Sequence, residues 1–389
     1  MSDKSYLVNS YNRYPVSFSH GLGSKIFDTN GKEYLDFLSG IAVNSFGHSN
    51  AVIREAVDKQ LEKVWHASNL FQIEGQEKVA QVLCVRAGMS KAFFCNSGTE
   101  ANEAAIKFAR KYGKGKYEII TAAGSFHGRT MGALSATGQE KIWDGFFPVL
   151  EGFPHVAYDS IEAMQNAITD KTIAIMVEPI QGENGVVVPS ENYLSSLRQL
   201  CDENNLLLIL DEVQTGIGRT GKLFAYQYYG IVPDMVCFAK GIANGLPLGG
   251  VLVNSKVADC VVPGMHGSTF GGNPVALSAA EAVLGLLTDE MLSSVKSSGD
   301  KILDKVKSLN NPLIKDARGT GLMIGIEIDS SIEVKLIAQE LMNMGVVAGT
   351  SGNNTLRLLP PFIITDEDIE IFIQAFKQVL DNIAKREIK

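Results

Sequence analysis

Between about residues 90 and 255, short apolar runs recur along the chain: KAFFC, YEIIT, TIAIMV, LLLIL, DMVCFA and GGVLVN, with helical stretches between them. The runs are continuous rather than alternating, as expected for strands covered by helices on both faces, so they predict an α/β lobe with a mainly parallel sheet. From about residue 280 the pattern changes to long helices, a Gly-rich strand pair at GTGLMIGIEI and a final helix after Thr365. In that helix Ile369, Phe372, Ile373, Phe376, Leu380 and Ile383 fall on one face. Near the N-terminus GSKIFDTNGKEYLDFLSG reads as a hairpin turning at Asn30-Gly31, and it is expected to join the C-terminal lobe. The implied division is a large domain over 56–278 and a smaller α+β domain built from 1–55 and 279–389.

Composition narrows the partners. The 389 residues are 45% apolar and include 38 glycines, enough for a large core. Lys and Arg number 35 against 43 Asp and Glu, a net charge of −8, and no block of like charge occurs. That argues against nucleic acid or an anionic membrane as partner. Cys84, Cys95, Cys201, Cys237 and Cys260 are scattered without a C-x-x-C and read as buried free thiols of a reducing compartment. The opening MSDKSYLVNSYNRYP has no apolar core of a leader peptide, and no stretch has the ~20 apolar residues of a membrane span, so a cytoplasmic protein is expected.

LILDEVQTGIGRTGKL contains two apparent nucleotide motifs. For a dinucleotide loop, the first glycine should follow the strand directly and an acid should lie about 20 residues on. Here DEVQT intervenes and Lys240 stands near the place of that acid. For a triphosphate loop, Ser or Thr should follow Lys222, but Leu223 does. Both motifs fail in context.

Asp211 is the more informative residue. It follows five apolar residues at the carboxyl end of a strand, where an unpartnered carboxylate would cost several kcal/mol. Lys240 ends another apolar run and precedes the small residues of GIANGLPLGG; it is equally costly unless bonded, paired or catalytic. One ligand satisfies both: pyridoxal phosphate, with its aldehyde on Lys240 and its protonated ring nitrogen on Asp211. A buried Lys–Asp pair without cofactor is the alternative. Ser97, Gly98 and Thr99 open a helix, where free amides, hydroxyls and the dipole suit a phosphate. Ser97 and Glu100 also read as an ordinary capping box. Phe126, in GSFHGRT, offers an aromatic face, or serves the core.

Taken together, NSGTEANE, SFHGRT, VEPIQGE, LILDEVQTGIGRTG, AKGIANGLPLGG and HGSTFGGNP resemble the class III aminotransferases over nearly the whole chain. The resemblance implies the fold type I of pyridoxal-phosphate enzymes, with Lys240 as the Schiff-base lysine, Asp211 on the ring nitrogen, and Ser97, Gly98 and Thr99 on the phosphate. It also implies Phe126 stacked on the ring, Gln214 at its phenolic oxygen, and Thr269 reaching the phosphate of a neighbouring subunit in a homodimer. Arg129 would hold the α-carboxylate of acetylornithine. Arg357 would hold that of glutamate or 2-oxoglutarate and pair with Glu183 otherwise, although Glu183 could also cap a turn in QGENG. LSGIAVNSFGH and the short chain without a leader resemble the acetylornithine-using bacterial branch, which often accepts succinyl-diaminopimelate. The ornithine-using relatives carry tyrosine where Ile41 stands, and 4-aminobutyrate enzymes share Glu183 and Arg357. His127 receives no catalytic role and reads as a polar wall residue.

Overall fold

A computed structural model describes residues 6–352 and 354–387; the first five residues of the N-terminal stretch discussed above lie outside it. The chain begins with β1 (Phe18–Leu22), β2 (Lys25–Asp28) and β3 (Glu33–Asp36), an antiparallel meander. The predicted turn is present, with a three-residue loop in place of a two-residue one. Asp28 N donates to the Lys32 carbonyl and Gly31 N to that of Asp28, while Gly31 alone takes a left-handed φ, +82°. The Asp28 carboxylate closes the loop by accepting from the amides of Asn30 and Lys32.

The central sheet holds β4 (Lys91–Cys95), β5 (Glu118–Ala122), β6 (His155–Val156), β7 (Thr172–Val177), β8 (Leu207–Asp211), β9 (Met235–Phe238) and β10 (Gly249–Val253), in the order β4-β10-β9-β8-β7-β5-β6. All of its pairings are parallel except the two made by β10. The apolar runs thus form the mainly parallel α/β sheet they predict, and every residue of β7, β8, β9 and β10 is buried. The helix Gly98–Tyr112 buries Ala101, Ala104, Ala105 and Phe108 against this sheet. Small side chains there let the helix approach the strands closely, which brings its N-terminus to their carboxyl ends.

The remaining strands are β11 (Ile314–Thr320), β12 (Met323–Ile328), β13 (Val346–Val347), β14 (Gly349–Ser351) and β15 (Thr355–Leu358). Four form an antiparallel sheet in the order β11-β12-β15-β14, and β13 pairs in parallel with β3. The N-terminal meander therefore shares a sheet with the C-terminal part of the chain. In the final helix, Asp366–Glu387, the six residues expected on one face, Ile369, Phe372, Ile373, Phe376, Leu380 and Ile383, are all buried, and Phe372 stacks on Phe37 with ring centroids 4.8 Å apart. The five cysteines are unbonded; four are buried, whereas Cys260 is half-exposed because it follows a one-turn helix on the rim, Ser255–Ala258. Among the described residues no helix is long and apolar enough to cross a membrane.

Candidate active site

The carboxyl ends of β8 and β9, the start of the helix Gly98–Tyr112 and the loop after β5 enclose a cavity of about 420 Å³. Asp211, Lys240, Ser97, Gly98, Thr99, Phe126, Arg129 and Gln214 all line it. Glu183 lines an adjoining cavity of about 430 Å³ that shares Phe126 and Arg129. Thr269 stands apart, exposed in a third cavity of about 330 Å³ with Asn96 and Glu100.

Asp211 is 4% exposed and does not reach Lys240. Its Oδ2 accepts from Asn102 Nδ2 at 2.7 Å and lies 2.8 Å from His127 Nδ1; its Oδ1 accepts from the amide of Val213 at 3.0 Å. The buried carboxylate is thus held in one orientation by three neighbours. His127 also donates its backbone amide to Thr137 Oγ1, and its carbonyl accepts from Asn102. As expected of a polar wall residue it lines the cavity, and in addition its ring contacts the Asp211 carboxylate.

Lys240 follows β9 by two residues and opens a short 3₁₀ turn with a left-handed φ of +46°. A non-glycine residue held there stores strain that the surroundings must impose. Burial disfavours its ammonium and lowers the pKa to about 8, with Arg357 acting the same way and Glu183, Asp211 and Glu178 opposing. The next residue, Gly241, packs against the N-terminal segment: a Cβ there would stand 2.8 Å from Ser45 Oγ. That segment is itself strained, since Ser39, Gly40, Ile41 and Ala42 all have φ between +50° and +67°. Left-handed geometry costs about 1–2 kcal/mol per non-glycine residue. The Asp36 carboxylate holds the turn by accepting from the amides of Leu38 and Ser39.

At the start of the helix Gly98–Tyr112, Ser97 accepts from the Glu100 amide, and Glu100 Oε2 accepts from the Asn96 amide. Half of the expected capping box therefore exists: Ser97 caps the helix, while Glu100 reaches back to the amide of Asn96 rather than to that of Ser97. It leaves the amides of Gly98 and Thr99 without carbonyls one turn back, so the end remains able to hold an anion. Gly98 is required by contact: a Cβ would lie 2.7 Å from Val213 Cγ1. Thr99 Oγ1 meets Thr130 Oγ1 at 2.8 Å. The guanidinium of Arg129 lies 5.6 Å from the Phe126 ring centre.

Arg357, 3% exposed, forms an ion pair with Glu183, and its Nη1 also lies 3.3 Å from the Gly182 carbonyl and from Gln214 Oε1. Gln214 Nε2 donates to Glu183 Oε1 at 3.2 Å, which makes the amide a third member of this cluster. Burial pushes the Glu183 carboxyl up, but the charges of Arg357 and Lys240 and the hydrogen bonds from Arg357 and Gln214 outweigh it and hold the group below its usual range.

Sequence reasoning overlooked Glu178 and Asn102. Glu178 Oε1 accepts from the Phe126 amide at 2.9 Å and Oε2 from the Gly182 amide at 3.3 Å, so one carboxyl ties together the loops that carry Phe126 and Glu183. Burial, and then the charge of Asp211, push its pKa well above the usual carboxyl range. The signal was present in TIAIMVE, an acid directly after a continuous apolar run, which is the same pattern that singled out Asp211. Nothing in the pattern around Asn102 distinguishes it from a helix surface residue.

A family model, aminotransferase class-III, matches residues 6–380. An acetylornithine aminotransferase of Caldanaerobacter subterraneus is 46% identical over 389 residues, which cover 98% of this chain and 98% of that one. The structure of the ornithine aminotransferase from Toxoplasma gondii is similar with a TM-score of 0.94 at 32% identity, over 98% of this chain and 94% of that chain. An N-acetylornithine aminotransferase from Stenotrophomonas maltophilia has a TM-score of 0.85 at 31% identity, over 96% and 98% of the two chains.

Proposed function

The chain belongs to the class-III aminotransferases, and from that premise we propose that it moves the terminal amino group of N-acetylornithine to 2-oxoglutarate. The products are N-acetylglutamate semialdehyde and glutamate, and the step belongs to arginine biosynthesis. Succinyl-diaminopimelate is a further donor. The observation that carries the reading is the convergence on one cavity of a buried amine near neutrality, Lys240, and a buried, oriented carboxylate, Asp211, beside the paired Arg357 and Glu183.

The enzyme depends on pyridoxal phosphate, which supplies an aldehyde that captures amines and a protonated ring that draws electrons from the substrate carbon. The residues fit it. Lys240 Nζ, uncharged in part near pH 8, would bond the aldehyde and, when released, would take the proton from the substrate carbon. Asp211, fixed by His127 and Asn102, would keep the ring nitrogen protonated. Ser97, Gly98 and Thr99 would hold the phosphate, Phe126 would offer its face to the ring, and Gln214 would serve the phenolic oxygen. Arg129 takes the α-carboxylate of acetylornithine while Glu183 neutralises Arg357. Glutamate displaces Glu183 and is gripped by Arg357 in a bidentate pair. Thr269, exposed and outside the main cavity, completes the phosphate site of a second copy in a homodimer. The four buried free thiols fit a reducing compartment, and we place the enzyme in the cytoplasm.

Donor profiling tests the assignment. Acetylornithine, succinyl-diaminopimelate, ornithine and 4-aminobutyrate are compared by kcat/KM with 2-oxoglutarate as acceptor, and acetylornithine is expected to lead ornithine by roughly a hundredfold or more. A lead for ornithine or 4-aminobutyrate would replace the substrate and leave the reaction class intact.

A further inference from the structure

Arg219, in the motif GIGRTG, is 1% exposed, and its guanidinium stands in no ion pair among the described residues. Nη1 donates to the carbonyls of Pro360 at 2.5 Å and Leu322 at 3.1 Å, and Nη2 to the Ser45 hydroxyl at 3.2 Å. The guanidinium lies 4.7 Å from the Phe362 ring centre. Burial draws its pKa down to about 9, against the favourable charge of Asp36, so it stays cationic at neutral pH. A buried cation held only by carbonyls, a hydroxyl and a ring costs more than an apolar side chain of the same volume. A cation placed there calls for a role that packing alone does not supply.

The partners indicate that role. Pro360 lies three residues beyond Arg357, just past the end of β15. That end is also tied to the N-terminal segment, through Leu359 N to the Phe37 carbonyl and Phe362 N to the Ser45 carbonyl, each 2.7 Å. Ser45 therefore uses its carbonyl to hold the chain after β15 and its hydroxyl to meet Arg219. The loop bearing Arg219 follows β8, which ends at Asp211, and also carries Gln214, whose Oε1 lies 3.3 Å from Arg357 Nη1. The head of β12, which neighbours β15, is fixed to the same loop by Leu322 N donating to the Arg219 carbonyl at 3.0 Å.

We propose that Arg219 is a positioning residue for Arg357: its guanidinium sets where β15 stands against the Asp211–Gln214 loop, and so sets the strength of the grip on the substrate's α-carboxylate. The proposal rests on the reading of Arg357 as the glutamate-binding arginine. In loaded enzyme, single-turnover reactions with glutamate and with acetylornithine separate the two substrate grips, because acetylornithine is held through Arg129. Arg219→Met keeps the bulk and removes the charge; Arg219→Lys keeps the charge and removes the fork. The Lys variant carries the test should Met fail to fold. Both are expected to weaken apparent glutamate binding by roughly tenfold, with its limiting rate and the acetylornithine parameters within about twofold of the parent. Arg357→Ala, run in parallel, is expected to lose glutamate binding more severely. A fall in thermal midpoint with both donors unchanged, or with both impaired alike, makes Arg219 a purely structural residue and overturns the proposal. Normal glutamate binding in Arg357→Ala overturns the arginine's assignment, and the proposal with it.

Discussion

An ordinary lysine is half protonated near pH 10.4, so at pH 8 only about one amine in 250 is free to attack an aldehyde. Lys240 differs because burial disfavours its ammonium and brings the pKa to about 8. Neutral amine is the reactive form, so the rate at which cofactor-free enzyme takes up pyridoxal phosphate should rise with pH and level off above about 8. Stopped-flow absorbance in the visible would show it, and a profile still climbing tenfold per unit through pH 9 would contradict the depressed pKa. At this scale the sequence disclosed Lys240 and Asp211 because charge next to an unbroken apolar run is costly. It did not disclose His127 or Asn102 as the groups that orient Asp211, because their bonds cross 84 and 109 residues of chain.

The elements act through their ends. The helix Gly98–Tyr112 packs on the sheet through alanines, and its N-terminus reaches the cavity because Gly98 passes Val213 without a side chain. Gly98→Ala introduces a methyl 2.7 Å from Val213 Cγ1 and 3.0 Å from its Cγ2, so one of the two segments must shift. The first turn should shift, and affinity for pyridoxal phosphate should fall by roughly tenfold, a loss of about 1.4 kcal/mol. Val213→Ala in the same chain should restore most of it. A double variant as weak as Gly98→Ala alone would show that backbone freedom, rather than the contact, makes glycine necessary. The helix itself was legible from the spacing of Ala101, Ala104, Ala105 and Phe108. The neighbour that demands Gly98 was not, because Val213 belongs to another loop.

The whole molecule is closed by contacts between its two ends. Phe372 of the last helix stacks on Phe37 of the N-terminal segment and lies 5.7 Å from Phe376, with no exposed surface. Phe372→Ala should cost about 3–5 kcal/mol, read as a lower thermal midpoint, since the cavity opens where two distant segments meet. A midpoint within a degree or two of the parent would show that the terminal helix folds independently of the N-terminal meander. By itself the sequence determined the strands and helices, since apolar periodicity reports which faces are buried, and it determined the chemical groups, since carboxylate, amine and arginine at the ends of apolar runs demand partners. Only the tertiary structure decided which partners they found. It bonded Asp211 to His127, left Gln214 between Glu183 and Arg357, and set Arg219 under the end of β15. These pairings depend on how strands and loops far apart in the chain are brought together, and local pattern carries no record of distance across the fold.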